Sequence, residues 1–308
     1  MKLPFVKEST REFYRASRKR GMSLLQFIHG YVYIRWCYNY IGLAGDKNPW
    51  WRWLWAPLVL VVNHMTPFKP NEDCRLGDPN QKKPAWGDNY HGKPMPLPEM
   101  TKLVKINRPV NTEVSEQILP FTRARQIVLA NPEHIVVIEC PCRSGMKNPC
   151  LPLDVCLIIG DPIAQMMLDH HPDKARQIDA DEAVRIIRAE NARGHVSHAF
   201  FKDVMLERFY AICNCCSCCC GAMMAQRMGC DMLCSSGYLA VVDEDKCTSC
   251  GTCAAKCQFK AISFRDKHAV INEDKCMGCG VCVESCSKDA VTLRLAPEKG
   301  EPLLVDNI

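Results

Sequence analysis

The sequence has no glycine-rich dinucleotide fingerprint, no phosphate-binding loop and no C-x-x-C-H haem-attachment motif. A chain without them offers no recognisable seat for a nicotinamide, a flavin or a nucleotide, and so no evident place to put a hydride. It also lacks a long, clean apolar run. Ser23 to Gly45 is long enough to span a bilayer but carries His29 and Arg35; Trp50 to Val62 is too short and is interrupted by Arg52 and Pro57. No cleavable signal peptide is evident. Arg18, Lys19 and Arg20 lack the arginine pair of a twin-arginine leader, and no small-residue cleavage site follows. The expected location is therefore the cytoplasm, at the inner face of the membrane or within a cytoplasmic complex.

Charge is unevenly placed. The net charge is +5, yet residues 1–60 hold ten Lys or Arg against three acidic residues, so the rest of the chain is net acidic. Tryptophans and tyrosines with flanking basic residues make residues 1–62 a segment for a membrane surface or a partner subunit. Buried helices of an ordinary domain are the alternative. The distributed pattern of a nucleic-acid-binding domain is missing, so nucleic acid is not an expected partner. Residues 63–100, broken by Pro67, Pro70, Pro79, Pro84, Pro94, Pro96 and Pro98, read as a connector.

What the chain has in excess is cysteine, 22 in 308 residues. The cysteines are clustered, and neighbours such as Cys215 and Cys216 are poor disulfide partners, so thiolates held for metal are the better reading. Cys247, Cys250, Cys253, Cys257 and then Cys276, Cys279, Cys282, Cys286 form two C-x2-C-x2-C-x3-C runs. That spacing places three thiolates on one cubane and sends the fourth to the other. One [4Fe-4S] set is then Cys247, Cys250, Cys253 and Cys286; the second is Cys276, Cys279, Cys282 and Cys257. The two runs belong to an internal duplication: Val241 aligns with Val270, Lys246 with Lys275, Gly251 with Gly280 and Arg265 with Arg294. Each half suits a strand, a cluster loop, a short helix and a strand. Zinc fits this spacing poorly, because its sites use pairs of cysteines.

A second set of cysteines lies upstream, and unligated they would be an oxidation liability. Cys140, Cys142, Cys150 and Cys156 are first-choice ligands for a further iron–sulfur cluster. Cys213, Cys215, Cys216 and Cys219 are candidates for another, with structural zinc as the alternative. Cys37 and Cys74 are isolated and read as structural. Around these, His134 to Cys140 reads as a buried strand and Phe121 to Pro132 has helical apolar spacing. Ala180 to Arg193 is a helix capped by Asp179 and stopped by Gly194. Gly194 to Phe201 suits a strand, and Lys202 to Tyr210 is helix-like. His170, His171, His195 and His198 are weak ligand candidates, better suited to capping or surface roles.

Residues 240–295 resemble the bacterial two-cluster ferredoxins, with Gln258 and Ser287 where those proteins usually have proline after the fourth cysteine. A wider stretch, about 120–295, resembles a family of dicluster ferredoxin-like proteins of anaerobic bacteria and archaea. The matching residues are C-x-C-R at Cys140 to Arg143, PLDVCLIIG at Pro152 to Gly160, G-H-V at Gly194 to Val196 and ICNCCSCCC at Ile212 to Cys220. This resemblance implies electron transfer and an extra metal site. The run Cys218 to Gly221 is similar, at wider spacing, to the doublet-cysteine sites of heterodisulfide reductase subunits.

The expected fold class is α+β. It comprises a ferredoxin-like two-cluster (βαβ)2 domain at 241–295 with a tail at 296–308, a mixed α/β cysteine-rich domain at 101–240, and a mainly helical N-terminal segment. The expected role is an electron-transfer subunit with a larger oxidoreductase subunit or another carrier as partner. The alternatives are an enzyme whose middle cluster acts on a disulfide, thiol or other small substrate, and a zinc-containing structural or assembly protein.

Overall fold

Two strands in the middle of the chain carry continuous apolar runs, Ile135 to Ile138 and Val155 to Ile159, the pattern of a sheet covered on both faces. In the computed structural model, which describes residues 6–42, 45–47, 90–120, 126–129, 131–228 and 232–308, these strands belong to one largely antiparallel sheet. Its strands are β1 (Tyr90–Pro94), β2 (Val110–Glu113), β3 (Gln126–Leu129), β4 (Ile135–Glu139), β5 (Asp154–Ile159), β6 (Ala175–Ile178), β7 (Val196–Lys202) and β8 (Arg208–Cys215). The order is β1-β7-β8-β5-β4-β6, and the β2–β3 hairpin joins β8 through a single parallel bridge, Gln126 to Arg208.

Alternation along each strand sorts the two faces. Val136, Ile138, Cys156, Ile158 and Phe200 point to one side, beneath helices α1 (Glu8–Lys19), α2 (Leu24–Arg35) and α3 (Cys37–Gly42). Ile135, Val137, Leu157, Ile159 and Phe201 point to the other, beneath α4 (Leu97–Val104). Two short helices follow β4 and β5, α5 (Pro141–Ser144) and α6 (Ile163–His170); α7 (Ala180–Ala192) packs with α4, and α8 (Gly221–Arg227) follows β8. The architecture is thus mixed, with antiparallel sheets and helices, in keeping with α+β. Cysteines sit only on the first face of β5 and β8, because the register sets Cys156 directly opposite Cys213.

The N-terminal helices share that first core. Phe13, Met22, Tyr33, Ile34 and Cys37 are buried against it. Thr10 and His170 are hydrogen-bonded, and Nε2 of His171 lies 2.7 Å from the Ile34 carbonyl, so these two histidines tie α1 and α2 to α6. No helix among the described residues is long and apolar enough to cross a membrane. Gly30 marks the closest approach of α2: a Cβ there would meet the Val204 carbonyl oxygen at 2.5 Å and the Phe13 ring at 2.8 Å. Gly-to-Ala in a helix ordinarily stabilises by ~0.5–1 kcal/mol. Here we expect Gly30→Ala to destabilise by ~1–3 kcal/mol through overpacking, read as an earlier thermal transition of the anaerobic protein.

The C-terminal part forms two small ladders. β9 (Tyr238–Val242) pairs with β12 (Val291–Leu295), and β10 (Ile262–Arg265) with β11 (His268–Ile271). Helices α9 (Thr252–Lys256) and α10 (Val281–Glu284) sit in the two loops. Each half therefore contains a strand, a loop, a short helix and a strand, and the two halves exchange their outer strands.

The structure moves one expected boundary, since residues 90–100 of the expected connector carry β1, paired with β7, and the start of α4, and it corrects two local expectations of element type. Residues 126–129, inside the stretch expected to be helical, form a strand paired with β2. Lys202 to Tyr210 is not a helix but the end of β7, a turn and the start of β8. The turn is made by Leu206 and Glu207 at φ 64 and 53. Tertiary pairing overrides the apolar spacing in both, since short apolar runs carry no period of their own. The Trp50–Val62 segment, the connector up to residue 89, Cys74 and Cys230 lie outside the described residues.

Candidate metal centres

The duplicated C-terminal loops bring sulfur together in a crossed manner. One cavity is lined by Cys276, Cys279 and Cys282 from the second loop and by Cys257 from the first, with Phe259, Ile271 and Leu293 as apolar walls. Burial pushes the Cys279 thiol up to about 12, and the neighbouring Cys257 and Cys276 sulfurs add to the shift. Burial raises Cys253 as well, and the neighbouring Cys250 and Cys247 sulfurs add to the shift. Backbone N–H groups already aim at sulfur: Ala261 donates to Cys257 and Ala290 to Cys286, both at 3.3 Å, and Ala269 to Cys247 at 3.5 Å. Free thiols, apolar walls and amide donors fit a thiolate-bound cluster, and such donors lower the charge density on ligand sulfur.

Gln258 explains one departure from the usual proline. Its Oε1 accepts from the Ser217 backbone N–H at 2.8 Å, and its Nε2 donates to the Gly194 carbonyl at 2.9 Å. The residue after Cys257 thereby fastens the C-terminal domain to the upstream cysteine turn. Proline could make neither bond.

Upstream, the cysteines divide differently from the sequence expectation. Six of them form an open ring, five successive sulfur contacts with Cys213 and Cys215 at its ends. Cys213 meets Cys156, Cys156 meets Cys140, Cys140 meets Cys142, Cys142 meets Cys220, and Cys220 lies 3.3 Å from Cys215. Cys140 precedes α5, Cys156 is on β5, Cys213 and Cys215 are on β8, and Cys220 precedes α8. The ring lines one cavity together with Cys37, Tyr33, Tyr90 and Tyr210, and Cys216 and Cys219 border the same cavity. Tyr33 and Tyr210 share a hydroxyl–hydroxyl hydrogen bond of 2.9 Å, and Lys202 sits over the Tyr33 and Tyr90 rings. Hydrogen bonds that Cys156 donates to Cys140 and Cys213, with burial, hold its thiol well above the usual range.

Cys150 is not part of this ring. Its sulfur lies 3.1 Å from Cys218, and with Cys216 and Cys219 they form a separate tetrad whose sulfurs all fall within 4.8 Å of one another. Cys150 therefore groups apart from Cys140, Cys142 and Cys156, and Cys216 and Cys219 group apart from Cys213 and Cys215. Cys218, which is in neither expected ligand set, is a central member. Burial works against its charge, but hydrogen bonds from Cys150, Cys216 and Cys219 hold its thiol below the ordinary value.

One buried side chain braces both groups. Arg143, 1% exposed, donates through Nη1 to the Pro152 carbonyl at 2.6 Å and through Nη2 to the Asn214 carbonyl at 3.1 Å. Nη2 also donates to Glu190 Oε2 at 2.5 Å, and His195 Nδ1 lies 2.7 Å from that oxygen. Burial alone would raise the Glu190 carboxyl, yet its bonds to His195 and Arg143 hold it below the usual range. His195 is thus committed to the Glu190–Arg143 hydrogen-bond network, and His198 Nδ1 to the Val196 carbonyl; neither belongs to the sulfur tetrad.

No curated protein matches the chain. Residues 240–293 match a family model described as a 4Fe-4S dicluster domain, which supports a ferredoxin-like 4Fe-4S domain at the C-terminus, and with it iron–sulfur clusters and an electron-transfer role.

Proposed function

We propose that the protein is an iron–sulfur electron-transfer subunit, passing single electrons to or from a partner oxidoreductase through two [4Fe-4S] clusters and a further cluster in the middle domain. Cys247, Cys250, Cys253 and Cys286 hold the first cluster, and Cys276, Cys279, Cys282 and Cys257 the second. Four of the six ring cysteines hold the third. The observation that carries this reading is the cavity lined by Cys257 together with Cys276, Cys279 and Cys282, because the motif's crossed ligation requires that grouping. The amide donors to Cys247, Cys257 and Cys286 and the apolar walls tune potential, and Gln258 fixes the distance between the domain and the ring. Tyr14, Leu24, Leu25 and Ile28 are exposed on α1 and α2 and support docking of the N-terminal segment to that partner at the membrane surface.

Iron and acid-labile sulfide on anaerobically purified protein test the assignment. We expect about twelve of each, about eight of them from the C-terminal domain. Cys140→Ser should remove about four and leave about eight. A wild-type count of eight would end the third-cluster assignment, and a count near zero would end the whole reading. The ring's cavity also favours a second reading, in which the site acts on a disulfide or thiol substrate. A paramagnetic signal from the ring that shifts on adding such a substrate, with turnover by the isolated chain, would select it.

A further inference from the structure

The tetrad of Cys150, Cys216, Cys218 and Cys219 has a geometry of its own. We propose that it binds a single tetrahedral thiophilic ion, zinc or ferrous iron, and not an iron–sulfur cluster. The inference is independent of the electron-transfer reading, since it concerns sulfurs outside both the ring and the C-terminal loops.

Size decides the matter. A zinc–thiolate bond of ~2.3 Å in a tetrahedron sets ligand sulfurs about 3.8 Å apart. Cys150 and Cys218 are 3.1 Å apart, Cys218 and Cys219 are 3.6 Å apart, and all four sulfurs lie within 4.8 Å of one another. A cubane puts each thiolate on a different iron, so its ligand sulfurs splay wider than those of one ion. The chain carries its own comparison. Among the described residues, no three of the eight cysteines in the cluster loops, and no three in the ring, pack as tightly as the tetrad.

The surroundings agree. Cys150 sits on the loop between α5 and β5, and the other three on the turn between β8 and α8. Cys218 is exposed and Cys150 only half-buried, so apolar packing alone does not hold this corner. The turn is nonetheless shaped in advance: Ser217 N–H donates to Gln258, and Arg227 Nη1 donates to the Ser217 carbonyl at 2.5 Å. Arg227 also places positive charge beside a site that would carry a net −2 with a divalent ion. Binding involves no electron transfer: four thiols lose four protons, and four metal–sulfur bonds form. The bound ion would staple the Cys150 loop to the Cys216–Cys219 turn, and Gln258, bonded to Ser217 of that turn, carries the anchor to its sequence neighbour Cys257.

The test uses the full-length chain, purified anaerobically, with zinc, iron and sulfide counted together. We expect one zinc per chain, or one iron in excess of sulfide, and its loss in Cys218→Ser while the iron–sulfide pairs stay. The element found tells zinc from iron. Because Cys218→Ser could simply fail to fold, a second measurement adds cobalt(II) to wild-type protein stripped of its excess metal. The visible bands of a tetrahedral tetrathiolate site should appear and saturate at one equivalent. Loss of about four irons with four sulfides in Cys218→Ser would overturn the proposal, as would wild-type protein with no metal beyond matched iron and sulfide.

Discussion

Arg143→Ala is expected to cost about 3–5 kcal/mol of folding stability and to strip the middle domain of its metal, while the C-terminal domain keeps about eight irons. Both Arg143 and Glu190 are 1% exposed, so removing the guanidinium leaves a carboxylate buried with only His195 and Arg193 to answer it. The loss is also architectural. Arg143 lies next to Cys142 in sequence and bonds the carbonyl of Asn214, which stands between Cys213 and Cys215. It therefore fixes α5 against β8, and the ring depends on that placement. Lysine should not rescue, because one ammonium cannot reach Pro152, Glu190 and Asn214 in the directions the planar fork does. Arg143→Ala with Glu190→Gln should recover part of the stability, since the second change removes the stranded charge, but none of the metal. Anaerobic denaturant titration with parallel iron counts reads both quantities. A loss under about 1 kcal/mol, or a middle site that keeps its iron, would show that Arg143 is not the brace.

These side chains also show how far the sequence could be read. The C-terminal 4Fe-4S domain was legible because the cysteine spacing within each run is local and is written in full in the sequence. The capped helix α7 was legible for the same reason, with Asp179 accepting from the Glu182 N–H as its position in sequence implies. The upstream cysteines were not. Their grouping follows from the β5–β8 register, which sets Cys156 against Cys213, and from a turn that swings Cys218 to Cys150, 68 positions away. Composition says that such sulfurs belong together but not which with which. Gln258 was visible only as a missing proline, and its meaning appears once Ser217 and Gly194 are seen beside it.

Gly278→Ala should remove one cluster, about four irons, while Ser249→Gly at the matching position of the first half should leave the count unchanged. The two residues correspond in the duplication and both have positive φ, 63 and 54. Ser249 tolerates it in an open loop, where its hydroxyl donates to the Lys267 carbonyl. Gly278 has no such room. A Cβ there would fall onto the Tyr238 carbonyl oxygen and the Ser236 hydroxyl, where the chain enters β9. That entry is held to the loop by Ser236 N–H donating to the Met277 carbonyl at 3.1 Å, and by Ser236 Oγ donating to the Gly278 carbonyl at 2.8 Å. Alanine adds about 1–2 kcal/mol of left-handed strain, and the overlap with backbone forces β9 away from the loop. Cys276 and Cys279 flank this residue, so the set they share with Cys282 and Cys257 is the one that should fail. Iron and sulfide counts, with the paramagnetic signal of the remaining cluster, distinguish the halves. Full iron in Gly278→Ala would mean that β9 does not clamp the second loop. Equal losses in both variants would mean that the halves tolerate change alike, despite the strand that crosses only one of them.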